Sequence, residues 1–314
     1  MNLHPDLEAF LDLVDQGRAA GRPPLHALAI DAARATFREA SRELDPAAPV
    51  LAHEPLSLPT RDGAALPARL YLPRARRPVP AILYFHGGGY CVGDLETHDA
   101  LCRRLAVAVD GAVLAVGYRR APEHPFPGPV DDALDAWAWL VAQATDLGLD
   151  PQRLVVAGDS AGATLATVVA ATAARLGQPA PRAQVLCYPT TDALGDYESR
   201  EVFADGYLLE SATLDWFYDL YLPDHERRAD PRCSPLRGPI PAGLAPALVL
   251  LAQFDPLLDE GRAYVDHLLA AGTPVDWAIC PGLTHDFLRL GSLVPDVAGH
   301  YGRIGAFLAE RAGF

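Results

Sequence analysis

The sequence predicts an α/β fold in which helices flank a mostly parallel central sheet. Short apolar runs alternate with longer stretches of helical periodicity from about residue 79 onward. The runs are apolar at nearly every position, as in strands that are buried on both faces of a parallel sheet. They cover residues 79–85, 112–118, 153–158, 183–188, 246–252 and 275–279. We therefore predict a doubly wound sheet that binds its ligand at the carboxyl ends of the strands.

The segments around these runs predict the remaining elements. Residues 50–72 break into short extended runs around Arg61-Asp62-Gly63, a turn signal that favours a pair of antiparallel entry strands. Residues 2–45 have the periodicity of two helices, which are separated at Gly21-Arg22-Pro23-Pro24. Further helices are predicted over residues 94–109, 130–144, 161–176, 259–271 and 298–312.

An insertion interrupts the alternation of strands and helices at about residues 199–236. It contains the aromatic-rich stretch LDWFYDLYLP, and an insertion of this length commonly forms a lid or a binding loop. We predict N-terminal cap helices over residues 1–48 and a catalytic domain over 49–314, with the insertion completing the cap. The candidate pocket residues on the insertion are Trp216, Phe217 and Tyr221.

Composition excludes several classes of function. The formal net charge is −14, whereas nucleic acids and anionic membrane surfaces attract basic proteins, so we expect neither as a partner. The chain contains no lysine, which excludes a Schiff-base lysine, a P-loop lysine and a Ser-x-x-Lys nucleophile.

The cysteines and the N-terminal segment indicate the cellular compartment. The five cysteines form no C-x-x-C pair, so we expect no disulfide framework, no metal site and a reducing cytoplasm. Acidic residues interrupt the N-terminus, and no apolar stretch approaches 18 residues, so we expect no membrane insertion. The sequence leaves a homodimer open.

Two glycine-rich segments carry the chemistry. GDSAG at 158–162 puts Ser160 where an apolar strand meets a helix, as in an exposed nucleophile elbow, although a plain tight turn has the same composition. HGGG at 86–89 follows another strand, and its backbone N–H groups suit a developing oxyanion. A phosphate loop is excluded because no Lys-Ser/Thr follows. We expect His86 to shape this loop rather than to act as a base.

Five motifs occur in order along the chain, namely HGGG (86–89), YRRAPEHPFP (118–127), GDSAG (158–162), DPLLDEG (255–261) and HDF (285–287). Together they resemble the hormone-sensitive-lipase-like family, the bacterial family IV esterases of the α/β-hydrolase fold. The resemblance runs from about residue 50 to the C-terminus, and the N-terminal helices resemble that family's cap. Arg120 departs from the family, which usually has an apolar residue there.

The order of residues in this fold, Ser, Asp or Glu, then His, selects the candidates for a catalytic triad. Asp255 follows the run 246–252 directly, whereas Asp259 falls in the first turn of the next helix, where a carboxylate is an ordinary partner of the helix dipole. His285 follows the last strand across a Pro-Gly loop, after both other residues. We therefore predict Ser160 as nucleophile, His285 as base and Asp255 as its partner.

The predicted oxyanion hole contains Gly87, Gly88, Gly89 and Ala161, with Gly87 also setting the bend of the loop. The role of Asp159, beside the nucleophile, stays open between bracing the elbow and no role in the chemistry. For Glu123 in APEHPFP, a buried structural acceptor is favoured over a reactant.

The predicted function is a carboxylic-ester hydrolase without a cofactor, acting on small-molecule esters with acyl chains of about two to eight carbons, since each buried methylene adds affinity until the pocket is full. The alternatives are an amide or lactone hydrolase and a non-catalytic small-molecule receptor on the same fold. A receptor need not retain a base after the last strand, so His285 favours an enzyme.

Overall fold

A mostly parallel eight-stranded sheet organises residues 2–73 and 77–314, which are the residues that the computed structural model describes. The strands are β1 (His53–Pro59), β2 (Ala65–Tyr71), β3 (Val79–Phe85), β4 (Ala112–Val116), β5 (Leu149–Asp159), β6 (Gln184–Cys187), β7 (Ala247–Phe254) and β8 (Val275–Thr284). Their spatial order is β1-β2-β4-β3-β5-β6-β7-β8. β2 pairs antiparallel with β1 and β4, and the other pairings are parallel. This topology confirms the predicted fold class.

Helices cover both faces of the sheet. They are α1 (Pro5–Ala19), α2 (Ile30–Leu44), α3 (Asp99–Val109), α4 (Gly128–Gln143), α5 (Ala161–Thr172), α6 (Glu198–Val202), α7 (Ser211–Tyr221), α8 (Leu258–Ala270) and α9 (Val297–Ala312). In β3, Leu83 and Phe85 belong to the core on the side of α4, α5 and α8. Ile82 and Tyr84 belong to the second core, with α3 and α9. Burial on both faces explains why the strand runs are apolar throughout.

Of the element boundaries that differ from the prediction, two affect the segments around the site. The third helix begins at Asp99 rather than at residue 94, because the Asp94 carboxylate accepts the N–H groups of Glu96 and Thr97 at 3.0 and 2.9 Å and so stabilises a turn there. β8 continues through the Pro-Gly pair to Thr284, which pairs with Phe254 beyond an irregularity in the ladder. The candidate base His285 therefore follows the strand directly.

The nucleophile segment depends on two glycines that allow β5, β3 and α5 to approach closely. A Cβ atom on Gly158 would lie 2.3 Å from the carbonyl carbon of Gly162. A Cβ atom on Gly162 would lie 2.0 Å from the carbonyl oxygen of Phe85, the last residue of β3. Neither glycine needs a positive φ, so the constraint is space rather than backbone conformation.

We predict that Gly162→Ala destabilises the protein whereas Gly302→Ala does not. Overpacking at Gly162 costs about 1–3 kcal/mol, since its neighbour is backbone that cannot turn away. Gly302 lies in α9 with nothing within 4 Å of its Cβ position, so alanine there stabilises the helix by about 0.5–1 kcal/mol. Urea unfolding of both variants measures the difference, and equal effects at both positions would contradict the close approach.

Candidate active site

Ser160 stands on a sharp turn between β5 and α5. Its backbone has φ 52° and ψ −125°, a conformation that residues other than glycine rarely adopt and that costs on the order of 1–3 kcal/mol. The Ser160 N–H donates to the carbonyl of Cys187 at 2.8 Å, which ties the turn to the end of β6. The surrounding structure therefore holds the hydroxyl at the carboxyl edge of the sheet.

Asp255 and His285 follow the ends of β7 and β8, and the structure brings both to Ser160. His285 Nε2 lies 2.9 Å from Ser160 Oγ, and His285 Nδ1 lies 2.7 Å from Asp255 Oδ2. The other carboxylate oxygen of Asp255 accepts the N–H of Leu257 at 2.9 Å, which fixes the orientation of the carboxylate. All three side chains are nearly inaccessible to solvent. This geometry leaves Nε2 free to accept the hydroxyl proton, with Nδ1–H donating to Asp255.

The environment of His285 favours its protonated form. Burial lowers the pKa of the imidazole, but the charge of Asp255 and the hydrogen bond to it raise the pKa by more, so that the net shift is upward from 6.5. The nearby carboxylate of Asp286 acts in the same direction. The imidazolium that forms during a proton transfer from Ser160 is thus stabilised where it arises.

The HGGG loop follows β3 and lies beside the serine. Gly88 and Gly89 have φ of 100° and 57°, and both line the same cavity as Ser160. A Cβ atom would lie 2.3 Å from the Gly93 nitrogen at position 88 and 2.2 Å from the Phe217 ring at position 89. Both positions therefore require glycine, and backbone N–H groups can line the cavity there.

The other two predicted oxyanion residues are placed differently from each other. Ala161 is the first residue of α5, where N–H groups have no acceptor within the helix, and it follows Ser160 directly. The N–H of Gly87 instead donates to Asp159 Oδ1 at 3.1 Å. This bond commits the Gly87 N–H to the protein itself, so its contribution is to the bend of the loop.

His86 lies beneath this loop as a buried, neutral ring. Its Nδ1 donates to the carbonyl of Gly87 at 2.9 Å, and the ring stacks on Tyr118 with 4.2 Å between centroids. Burial and the neighbouring His98 lower the pKa of His86 to about 3. These contacts are consistent with a role for His86 in shaping the loop. The low pKa makes His86 a poor general base near neutral pH.

A cavity of about 270 Å³ opens above Ser160 and His285. Both segments predicted to form a cap contribute to its wall. Phe10 and Val14 come from α1, Phe37 and Leu44 from α2, and the insertion contributes Leu208, Leu209, Glu210, Thr213, Leu214, Phe217 and Tyr218. Of the candidate pocket residues, Phe217 lines the cavity.

The other two candidates, Trp216 and Tyr221, lie outside the wall as far as the described residues define it. Tyr221 is fully buried one turn beyond Phe217 on α7, where it stacks on Tyr90 at 3.8 Å between ring centroids and meets the edge of Phe126. Trp216 is half-buried and tilted against Phe217. The aromatic stretch predicted the helix but not which of its aromatic side chains reach the cavity.

Comparison with known proteins identifies this arrangement. Residues 82–289 match a family described as having the α/β-hydrolase fold. The chain is an α/β hydrolase. The chain is 50% identical over 306 residues to an ethyl acetate hydrolase of Pseudomonas putida, covering 94% of this chain and 95% of that protein. It is 46% identical to the carboxylic ester hydrolase LipN of Mycobacterium tuberculosis, over 76% of this chain and 65% of LipN.

Solved structures agree with these relatives. An ester hydrolase from the metagenome of Lake Arreo, complexed with a bipyridine phosphonate derivative, superimposes with a TM-score of 0.94 at 37% identity, covering 99% of this chain and 100% of that one. A thermostable esterase from Pseudomonas putida gives a TM-score of 0.93 at 34% identity, covering 99% and 98%. This α/β hydrolase is therefore a carboxylic ester hydrolase of the hormone-sensitive-lipase-like type, as the motifs predicted.

Two ion pairs lie in the cavity wall of the hydrolase, and no sequence motif predicted them. Arg18 of α1 pairs with Glu210, whose side chain is only 4% exposed, 192 residues further along the chain. Arg289 donates to Asp286 at 2.7 Å and lies over the Phe37 ring at 4.3 Å from its centroid. The Arg18–Glu210 pair joins α1 to the insertion, whereas the contact between Arg289 and the Phe37 ring joins the segment after β8 to α2. The charged groups of an otherwise apolar wall therefore also hold its segments together.

Glu123 and Asp259 both have structural partners. Glu123 is half exposed rather than buried, and it receives two hydrogen bonds from the Arg34 guanidinium at 2.7 and 2.6 Å, which lower its pKa to about 2. Asp259 accepts the N–H of Ser199 at 3.0 Å near the start of α6. None of the described contacts of either residue reaches the serine.

None of the helices in the described part of the hydrolase is long and apolar enough to span a bilayer.

Asp255→Asn is expected to lower kcat by about 10⁴-fold, because its amide can donate to the imidazole and so favour the wrong tautomer. Asp259→Asn removes a charge at a helix start, worth about 0.3–1 kcal/mol of stability, and leaves kcat nearly unchanged. Assays on a short-chain ester, after circular dichroism has shown equal folding, compare the two. Loss of activity in the second variant alone would refute the assignment of Asp255.

The pH profile of kcat/KM should rise through a single ionisation with its midpoint above the ordinary histidine value of 6.5. A base must be neutral to act, and the raised pKa keeps the proton on His285 to higher pH. Asp286→Asn removes a nearby negative charge and should move the midpoint to lower pH, whereas Asp259→Asn should not move it. A midpoint at or below 6.5 in the wild type would contradict this prediction.

Proposed function

We propose that the hydrolase cleaves esters of short- to medium-chain acids through an acyl-enzyme intermediate on Ser160. His285 takes the hydroxyl proton as Oγ attacks the acyl carbonyl, and the oxygen that becomes negative is stabilised by the N–H groups of Gly88, Gly89 and Ala161. His285 then protonates the departing alcohol, and Asp255 stabilises the imidazolium. A water molecule, activated in the same way, releases the acid.

One observation carries this proposal, namely the pair of hydrogen bonds that joins the three side chains at the floor of the cavity. Nucleophile and base are 2.9 Å apart, base and carboxylate 2.7 Å, and each follows a different strand of the sheet. Three separate strand ends must be placed together for this contact to form. Gly88 and Gly89 line the same cavity, so donors for an oxyanion adjoin the nucleophile.

The size and lining of the cavity support small ester substrates. Pockets for drug-sized ligands have volumes of about 300–1,000 Å³, whereas this cavity has about 270 Å³. Apart from the ion pairs described above, its wall is largely aliphatic and aromatic, so it suits an unsubstituted acyl chain. The similarity to an ethyl acetate hydrolase points to the same substrate class.

The proposed compartment is a reducing cytoplasm. All five cysteines are free and buried, so neither a disulfide nor an exposed thiol takes part in the fold. Burial raises the pKa of Cys91 and that of Cys280, which keeps both thiols protonated and unreactive. Such thiols are typical of proteins that fold without oxidation.

A phosphonate ester should label the protein once, at Ser160, and Ser160→Ala should abolish both labelling and turnover, a loss of roughly 10⁶-fold in kcat for a triad hydrolase. Ser57→Ala, an exposed serine on β1, is the matched control and should behave as the wild type. Peptide mapping by mass spectrometry finds the modified residue. Labelling elsewhere, or full turnover by Ser160→Ala, would refute the mechanism.

Catalytic efficiency on p-nitrophenyl esters should rise from acetate, pass through a maximum by about eight carbons and fall toward palmitate, since each buried methylene contributes up to about 0.8 kcal/mol until the cavity is full. Leu214→Ala enlarges the cavity and should move the maximum to longer chains. Leu220→Ala, the same change on the same helix but outside the wall, should not.

A steady rise through palmitate would contradict a cavity of this size. An anilide and a lactone in the same screen test the alternative acyl substrates.

A further inference from the structure

Asp159, the residue before the proposed nucleophile, is a fully buried carboxylate with three polar partners. Its main chain belongs to the end of β5 and pairs with Cys187 of β6, whereas its side chain extends toward the HGGG loop. Asp159 is absent from the wall of the cavity as far as the described residues define it, so it has no contact with a bound ester. Its contacts nevertheless join the two parts of the site that must act on the same carbonyl group.

One oxygen of the carboxylate holds the HGGG loop. Asp159 Oδ1 accepts the N–H of Gly87 at 3.1 Å and the hydroxyl of Tyr84 at 2.6 Å. The second oxygen lies so close to the loop that a Cβ atom on Gly87 would be 2.3 Å from it. Gly87 is covalently bonded to Gly88, the first of the proposed oxyanion donors, so any displacement of Gly87 moves those donors.

The second oxygen is held by His98. His98 Nε2 lies 3.2 Å from Asp159 Oδ2, and His98 Nδ1 lies 2.8 Å from the hydroxyl of Thr97. Burial opposes the charge of Asp159, but His98 and the hydrogen bonds lower its pKa to about 2. The carboxylate therefore remains a charged, strong acceptor at neutral pH, with both oxygens fixed in direction.

We infer that Asp159 is a positioning residue that sets the distance between Ser160 and the oxyanion donors of Gly88 and Gly89. The inference rests on the proposed function of these residues. The nucleophile follows β5 and the donors follow β3, so their relative position depends on what joins these two strand ends. Donors must lie about 2.7–3.1 Å from the oxyanion, and an error of 1 Å can cost about 10²-fold in rate. Asp159 makes this connection within one residue, through its own backbone and carboxylate.

Asp159→Ala and Asp159→Asn separate positioning from general stability. The alanine variant removes the acceptor, and we expect kcat to fall by about 10²-fold with KM nearly unchanged, because the loop acts on the transition state. The affinity for an alkyl trifluoromethyl ketone, which forms a charged tetrahedral adduct with the serine, should fall by a similar factor. The asparagine variant keeps an oxygen for the Gly87 N–H and the Tyr84 hydroxyl, and it should retain most of the wild-type kcat.

Asp132→Ala is the matched control. Asp132 is also fully buried, and it pairs with Arg119 away from the serine, so its loss should lower the unfolding temperature and leave kcat per folded molecule unchanged. If Asp159→Ala only lowers the unfolding temperature, or if Asp159→Asn is as inactive as Asp159→Ala, the inference is wrong.

A second variant and a measurement on the wild type complete the test. If Asp159→Ala does not fold, His98→Gln removes the imidazole that orients the carboxylate, and it should lower kcat and ketone affinity together without raising KM. An unchanged kcat would then overturn the inference. Failure of the proposed function is distinguishable, because in that case the wild-type hydrolase itself would form no ketone adduct at Ser160.

Discussion

The site of this hydrolase depends on how closely two strand ends approach one helix. The carbonyl of Phe85 at the end of β3 occupies the space where any side chain at Gly162 would begin. This contact puts the glycine-rich loop that continues from β3 directly beside the turn that leaves β5. The strained backbone of Ser160, the first turn of α5 and the proposed oxyanion donors of Gly88 and Gly89 are all placed by that one approach. A wider separation would leave each part intact and the site ineffective.

Burial of charge is the second constraint. The carboxylates of Asp159 and Asp255 are removed from water, which is unfavourable unless each oxygen has a partner. Asp255 has the N–H of Leu257 and the imidazole of His285, and Asp159 has the loop, a tyrosine and a second histidine. Each buried carboxylate is thus fully bonded before any substrate arrives, and the polar groups of the site need little rearrangement during the reaction.

Sequence patterns predicted the parts of this fold that are set by local physics. The apolar run 79–85 is β3, and Ser160, Asp255 and His285 follow strands because the edge of a parallel sheet collects such residues. Patterns could not predict contacts between distant segments. The N–H of Gly87 donates to the carboxylate of Asp159, 72 residues further along the chain, and Arg18 pairs with Glu210, 192 residues further along.

Phe217 of α7 lines the cavity, whereas Tyr221, one turn further along the same helix, is buried by stacking on Tyr90. Helical periodicity shows that one face of the helix is apolar, but it does not show which part of that face borders the cavity, because this depends on packing against residues distant in the sequence. The exposure of Glu123 was unpredictable for a similar reason, because its partner Arg34 lies on α2, 89 residues earlier in the chain.

The attachment of α2 has a consequence for evolution of the enzyme. Two arginines attach this helix to the segment between β3 and α3. Arg34 donates to the carbonyl of Cys91 at 2.9 Å, and Arg38 donates to Asp94 at 3.1 Å. Guanidinium groups keep their charge at every physiological pH, so this clamp does not loosen as His285 gains or loses its proton. The anchoring residues are also distinct from Phe37 and Leu44, which face the cavity. Selection can therefore remodel the shape of the substrate cavity by changing one face of α2 while the other face keeps the helix attached.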